Sequence, residues 1–272
     1  MKWFVSTAIA VLLFATSGIG GVHLALAKNT GEPAASVQAK KHAKQIALEQ
    51  FLALSIQKKH DKAYGYLSKV TQKRVSKNNY VKVQRLYDQY EAFTSFKVSL
   101  TKNPNQLKVT FKAKNFYDNK VYSNYYIQQM RYESGKWKVD LSGLDWASAL
   151  SEAYLYLGVM YYDGKGKPKN VKEAMKHFNL SLAAKKTFWG YFFLGHANLT
   201  LNKPKESIAY FENSLNFPAG NADKAVSVYN IAYAYYVLGD FANAEAYAEQ
   251  SLQLDPNYQQ AKDLLAEVQK GQ

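Results

Sequence analysis

Three small-residue steps recur along the C-terminal half of the sequence. Leu157-Gly158, Leu194-Gly195 and Ile231-Ala232 follow one another at intervals of 37 residues. Ser181-Leu182, Ser214-Leu215 and Ser251-Leu252 recur beside them, 33 and then 37 residues apart. Self-similarity at this period means stacked helix pairs, each too short to bury its apolar side without a neighbour. Ala225–Pro256 is the best-formed unit: a helix, a tight turn at Gly239-Asp240, and a second helix closed by Asp255-Pro256. Ala232, Ala244 and Ser251 stand where two antiparallel helices must approach closely. Three pairs and a terminal segment Asn257–Val268 predict about seven helices, with Leu264, Leu265 and Val268 covering the open end.

Residues within these units resemble known repeat families. In the third unit, Ile231, Ala232, Tyr235, Gly239-Asp240-Phe241, Ala244, Leu252 and Asp255-Pro256 resemble a tetratricopeptide repeat. The second, with Leu194-Gly195, Asn202, Pro204, Ser207, Phe211 and Leu215, is a degraded copy that departs from the usual alanine at Ser207. The first, with Ala153, Leu157-Gly158, Met160-Tyr161, Gly164-Lys165-Gly166, Ala174, Phe178 and Ala183-Ala184, resembles the related Sel1-like repeat. Its longer loop accounts for the uneven spacing. Gly164-x-Gly166 follows a helix rather than a strand, so it reads as a turn and not a phosphate loop.

The resemblance implies a concave face built from the first helix of each pair. Leu155, Val159 and Tyr162 would line it, then Trp189, Phe192 and His196, then Tyr229, Tyr233 and Tyr236. This row is aromatic and nearly uncharged, which suits an apolar segment of a protein partner. The rival occupant is the protein's own last helix or its neighbouring domain. The lysine–asparagine clamp that some members use for C-terminal carboxylates is absent, although Asn230 holds one compatible position.

Charge marks a boundary near residue 146. Residues 28–146 hold 22 Lys and Arg against 9 Asp and Glu, whereas residues 147–272 hold 12 of each. The chain is therefore read as residues 1–27, a spacer at 28–37, a basic domain at 38–146 and the repeats at 147–272. Trp3–Ala27 carries no formal charge, and Ala25-Leu26-Ala27 fits a small-x-small cleavage pattern. This stretch reads as an export signal, or as an uncleaved anchor over residues 3–27. Both place the remainder outside the cytoplasm, secreted or associated with the envelope. With no cysteine in 272 residues, disulfides, thiolate catalysis and thiolate metal sites are excluded.

The basic domain changes period along its length. Ala43, Ile46, Ala47, Phe51, Leu54 and Ile56 recur at helical spacing; Asp61 and Ser76 are candidate caps of two further helices. Phe96, Val98 and Leu100 then alternate with polar residues, as do Leu107, Val109, Phe111 and Ala113. Turns at Asn103-Pro104-Asn105, Asn119-Lys120 and Ser134-Gly135 complete an antiparallel meander, an α+β domain. Phe51-Leu52-Ala53-Leu54, Asp61, Ala63-Tyr64, Leu67-Ser68 and Gly135-Lys136-Trp137-Lys138-Val139-Asp140 resemble the NTF2-like fold of small exported bacterial proteins. Some members of that family catalyse reactions in a pocket through an Asp/His pair.

A catalytic pair is not expected here. His42, His60, Asp61, Asp88 and Asp118 are the candidates, and the pocket-facing strand residues are Val, Leu, Phe and Ala. General acid–base chemistry needs titratable groups within hydrogen-bond reach of a substrate. The five histidines lack metal-ligand spacing, and no cofactor motif stands out. Lys97, Lys108, Lys112 and Lys114 form a second candidate site, a basic sheet face for anionic polymers or a membrane surface. Arg131 is a further candidate, and Tyr122, Tyr125, Tyr126 and Tyr132 could add stacking surfaces. The sequence thus predicts a non-catalytic, exported interaction protein, with the basic face as its alternative binding surface.

Overall fold

The computed structural model describes residues 34–270. The predicted export signal and residues 28–33 of the spacer lie outside the described residues. The chain forms two compact units that meet between Ala149 and Leu150.

The first unit opens with helix α1, Ala34–Ile56, which begins inside the segment read as spacer. Leu48, Phe51 and Leu52 recur at helical spacing and are buried in the unit's core. The helix closes where Lys58 turns left-handed at φ 57 and the Lys59 N–H donates to Leu54 O at 2.8 Å. Three short helices follow: α2 (His60–Ala63), α3 (Lys69–Arg74) and α4 (Lys77–Tyr87). Asp61 does not cap α2; it lies inside the first turn, and Lys59 is the cap residue. Ser76 caps α4 as predicted, accepting from Asn79 N at 3.3 Å, and Ser68 caps α3 through Thr71 N at 3.1 Å.

Four antiparallel strands form a meander: β1 (Glu91–Leu100), β2 (Gln106–Asn115), β3 (Val121–Glu133) and β4 (Lys136–Asp140). Leu107, Val109, Phe111 and Ala113 of β2 point into the core, and the lysines between them point away. At the β3–β4 turn Ser134 and Gly135 both take positive φ, 49 and 78, which a two-residue hairpin of matching twist requires. Leu100 departs from expectation: the strand ends there, beyond the helix cover, and its side chain is 50% exposed. Tyr80 and Trp146 meet edge-on in the core, centroids 6.0 Å apart.

The second unit is all helical. Its three antiparallel pairs are α5 (Trp146–Asp163) with α6 (Val171–Ala184), α7 (Phe188–Thr200) with α8 (Pro204–Leu215), and α9 (Asn221–Val237) with α10 (Phe241–Leu254). Helix α11 (Gln259–Lys270) closes the array by burying Leu264 and Val268 against Ala232, Ala244 and Ala248. The recurrent small residues are contact points between paired helices. Gly158 backs onto Phe178 and Gly195 onto Phe211, while the third unit has alanine on both sides, Ala232 and Ala248. The recurrent serines are all fully buried and hydrogen-bonded. Ser181 pairs with Ser151 at 2.9 Å, Ser214 with Ser227 at 2.6 Å, and Ser251 donates to Ala225 O at 2.8 Å. Each such bond lets a buried hydroxyl join one helix to another without an unsatisfied group. Gly164 and Gly166 adopt φ 72 and 71 in the α5–α6 turn.

Candidate functional site

The aromatic row follows from i, i+4 spacing on the first helix of each pair. On α9, Tyr229, Tyr233 and Tyr236 stack along one face with successive centroids 6.4 and 6.5 Å apart. Tyr233 is 41% exposed, and Val237 and Phe241 beside it are exposed as well. Tyr229 meets Tyr258 edge-on at 5.3 Å, and the Tyr236 hydroxyl donates to Glu267 Oε1 at 2.6 Å. The terminal segment therefore covers part of the row and leaves Tyr233 open.

On α7 the row is deeper. Trp189 stays partly exposed, but Phe192 is only 8% exposed, its ring set among Phe188, Phe193, His196 and Phe211. Phe192 is thus core beneath the row rather than a contact residue, because Phe211 of α8 rises against it. His196 lies 4.5 Å from Phe192 and 5.2 Å from Phe211, centroid to centroid, and burial pushes its imidazole down to about 4. At neutral pH it is an uncharged wall. The Tyr162 hydroxyl of α5 lies 2.8 Å from Thr200 Oγ1 of α7, joining the first pair to the second.

Two acids absent from the sequence-predicted row stand beside it. Asp263 and Glu267 are exposed on α11, and both act on Tyr229, whose hydroxyl is pushed up by burial first, then by Tyr233 and these carboxylates. Their i, i+4 spacing along the flank of the apolar stripe Ala261, Leu264 and Val268 was the signal available in the sequence.

In the first unit, Lys97, Lys108, Lys112 and Lys114 share the outer sheet face. Register places Ser95, Ser99, Thr110, Ser123, Tyr125 and Ile127 among them, with no acid. Lys108 Nζ sits 4.1 Å from the Tyr125 ring centroid. Arg131 does not join this face as a free charge, because both Nε and Nη2 donate to Asp140 Oδ2, at 2.9 and 2.7 Å. Of the four tyrosines considered for stacking, Tyr126 is buried and Tyr122 donates to Glu91. Tyr132 lies on the opposite face, against Trp137, in an open cleft of about 640 Å³ rimmed by Lys136 and Lys138.

Two of the candidate titratable residues, His60 and Asp88, meet in this unit. His60 Nε2 and Asp88 Oδ2 are 2.8 Å apart, joining α2 to the C-cap of α4, and His60 is 3% exposed. Glu91, the first residue of β1, lies beside them, and burial pushes its carboxyl up to about 8. The space these groups share with Tyr87 and Phe111 is about 40 Å³. Sequence separation hid the pair: its members stand 28 positions apart.

Family models for the tetratricopeptide repeat match residues 190–218 and 225–258. These ranges are the second and third helix pairs. The second unit carries tetratricopeptide repeats. Tetratricopeptide arrays are protein-interaction scaffolds whose concave face receives the partner. Among solved structures, the chain is similar to the crystal structure of MamA, at 18% identity and TM-score 0.40, over 44% of this chain and 67% of that one. It is also similar to the first tetratricopeptide domain of Spaghetti (RPAP3) bound to HSP90 peptide SRMEEVD, at 15% identity and TM-score 0.41, over 46% and 94%. Similarity to the APC/C hetero-tetramer Cut9–Hcn1 is 21% identity and TM-score 0.39, over 43% and 23%. No curated protein matches the chain. Within the tetratricopeptide unit, Asn230 is 6% exposed and its amide donates to Val226 O at 2.7 Å. That side chain faces its own helix and is not placed to clamp a carboxylate.

Proposed function

We propose that this protein is an exported, non-catalytic scaffold of the cell envelope that holds a protein partner on the concave face of its tetratricopeptide unit. The observation that carries this reading is the exposed Tyr233, at the middle of a stacked tyrosine row in an array of a partner-binding kind. Tyr162, Trp189, Tyr229 and Tyr236 extend the contact surface, and His196 forms its uncharged wall. The first helix pair reads as Sel1-like, and the first unit as NTF2-like, with helices against one face of a four-stranded meander. Export rests on the sequence of residues 1–27 alone. The reading without catalysis rests on the sequence; the space beside His60 and Asp88 is small, about 40 Å³. That pair then serves as a tie between helices.

In-cell crosslinking followed by purification of the full chain tests this reading. A discrete partner should co-purify with the native chain and be lost from a Trp189→Ala, Tyr233→Ala double variant that remains folded. An unchanged set of crosslinked proteins would contradict it.

A second reading has its own observation, the cluster of Lys97, Lys108, Lys112 and Lys114 on the β1–β2 part of the outer face, where their paired neighbours are uncharged. Such a face binds anionic polymers or membrane surfaces through counterion release. Retention on an anionic matrix should weaken steeply with salt, and replacing the four lysines with glutamine should flatten that dependence.

A further inference from the structure

The third tetratricopeptide pair and the closing helix create a site whose chemistry differs from the rest of the row. Tyr229, Tyr233 and Tyr236 present stacked ring faces, and Tyr233 is open to solvent. Across from them α11 presents exposed Asp263 and Glu267. Glu267 is fixed in place by the Tyr236 hydroxyl at 2.6 Å, and Asp263 by the Gln259 amide at 2.8 Å. Glu267 thus meets the tyrosine row directly, and Asp263 stands one turn earlier on the same helix, at i−4.

An aromatic face attracts a cation through its quadrupole, and the attraction grows when water is partly excluded. A carboxylate beside the ring adds a charge-assisted hydrogen bond for an ammonium or guanidinium donor. An anionic ligand meets the reverse: two like charges and the negative faces of three rings. Phe241 packs against Tyr236, centroids 5.8 Å apart, and its exposed ring and the exposed Val237, one turn beyond Tyr233, add apolar surface at this end of the row. A partner that satisfies all of these features carries a lysine or arginine next to an apolar side chain.

We propose that Tyr229, Tyr233, Tyr236, Asp263 and Glu267 form a docking site for a basic, partly apolar segment of a partner protein. The lysine or arginine head lies over Tyr233 and pairs with Glu267 and Asp263, and the neighbouring apolar side chain rests on Val237 and Phe241. This rests on the reading of the tetratricopeptide unit as a partner-binding scaffold and adds the chemistry of what it binds.

Fluorescence anisotropy on the full chain tests the site with three labelled peptides of one apolar framework: lysine/arginine-bearing, glutamine-substituted and glutamate-substituted. The basic peptide should bind most tightly despite the formal charge of +14 on the chain. Its affinity should fall about tenfold in Asp263→Asn with Glu267→Gln, and also in Tyr233→Ala, whereas Tyr233→Phe should retain it. Glutamate-peptide binding, where present, should ignore these substitutions. Equal, Tyr233-dependent binding of the glutamine and basic peptides would overturn the cation assignment and leave the scaffold reading standing. Tyr233-independent binding of all three would overturn both. Self-association of the chain that is abolished by Asp263→Asn with Glu267→Gln would assign the site to a second copy and overturn the partner reading.

Discussion

Gly195 lies so close to Phe211 that a Cβ added to it would come within 2.8 Å of the ring. The same relationship joins Gly158 to Phe178, at 2.3 Å, one helix pair earlier. These contacts explain why small residues recur at these positions: the paired helix sends a phenylalanine into the space that a side chain would fill. Gly195→Ala should destabilise the repeat unit by about 1–3 kcal/mol through overpacking. Denaturant unfolding of the full chain checks this, and the double variant Gly195→Ala, Phe211→Leu should recover part of the loss. The third unit, with Ala232 and Ala248 in these places, has no ring to accommodate.

Glu91 of the first unit and His196 of the second should carry opposite pH dependences. Burial pushes Glu91 up to about 8 from 4.5. The folded chain therefore keeps a proton that the unfolded chain has released. Stability from this group is complete below about pH 4.5 and drains as pH rises toward 8, by at most about 1.4 kcal/mol per pH unit. The opening free energy from amide exchange in β1–β2, corrected for the intrinsic rate, should fall over that range, and Glu91→Gln should remove the trend.

His196 carries the reverse dependence. Burial pushes it down to about 4 from 6.5, so between these values the unfolded chain binds a proton that the folded chain refuses. Its contribution is complete above pH 6.5 and is lost as pH falls toward 4. The opening free energy from exchange in α7–α8, corrected for the intrinsic rate, should fall on acidification, and a folded His196→Phe variant should lose that dependence.

Asp140 is a junction of the first unit. It accepts from Arg131 at 2.7 Å, from Thr71 Oγ1 at 3.2 Å and from Ser142 N at 3.0 Å. Burial by itself would raise its pKa, but hydrogen bonds from Ser142 and Arg131 outweigh that and hold the carboxyl below its usual range. Asp140→Ala should cost roughly 2–4 kcal/mol, because several donors lose their acceptor at once. Urea unfolding monitored by Trp137 and Trp146 fluorescence measures it, with Asp140→Asn retaining part of the stability.

Periodicity made the helix pairs and the strand alternation legible, because both depend on local spacing. Gly158, Gly195 and the three serines could be placed for the same reason: each acts at a fixed interval within a repeated unit. Contacts across the chain were not legible. His60 meets Asp88 only after α2 and α4 pack together, and Lys44 is buried because its ammonium reaches Pro104 O at 2.6 Å. Phe192 carried the same aromatic signal as Trp189, and only the position of Phe211 distinguishes core from surface. Glu267 lies 31 positions beyond Tyr236, and only the packing of the closing helix brings it to the tyrosine row.

The central claim is that the concave tyrosine face holds a partner. A photo-crosslinking amino acid in place of Tyr233, compared in living cells with one in place of exposed Glu249 on α10, tests it most directly. The account predicts a discrete crosslinked adduct at position 233, lost when Asp263→Asn and Glu267→Gln are added, and none at position 249. Equal labelling at both positions, or none at 233, would contradict it.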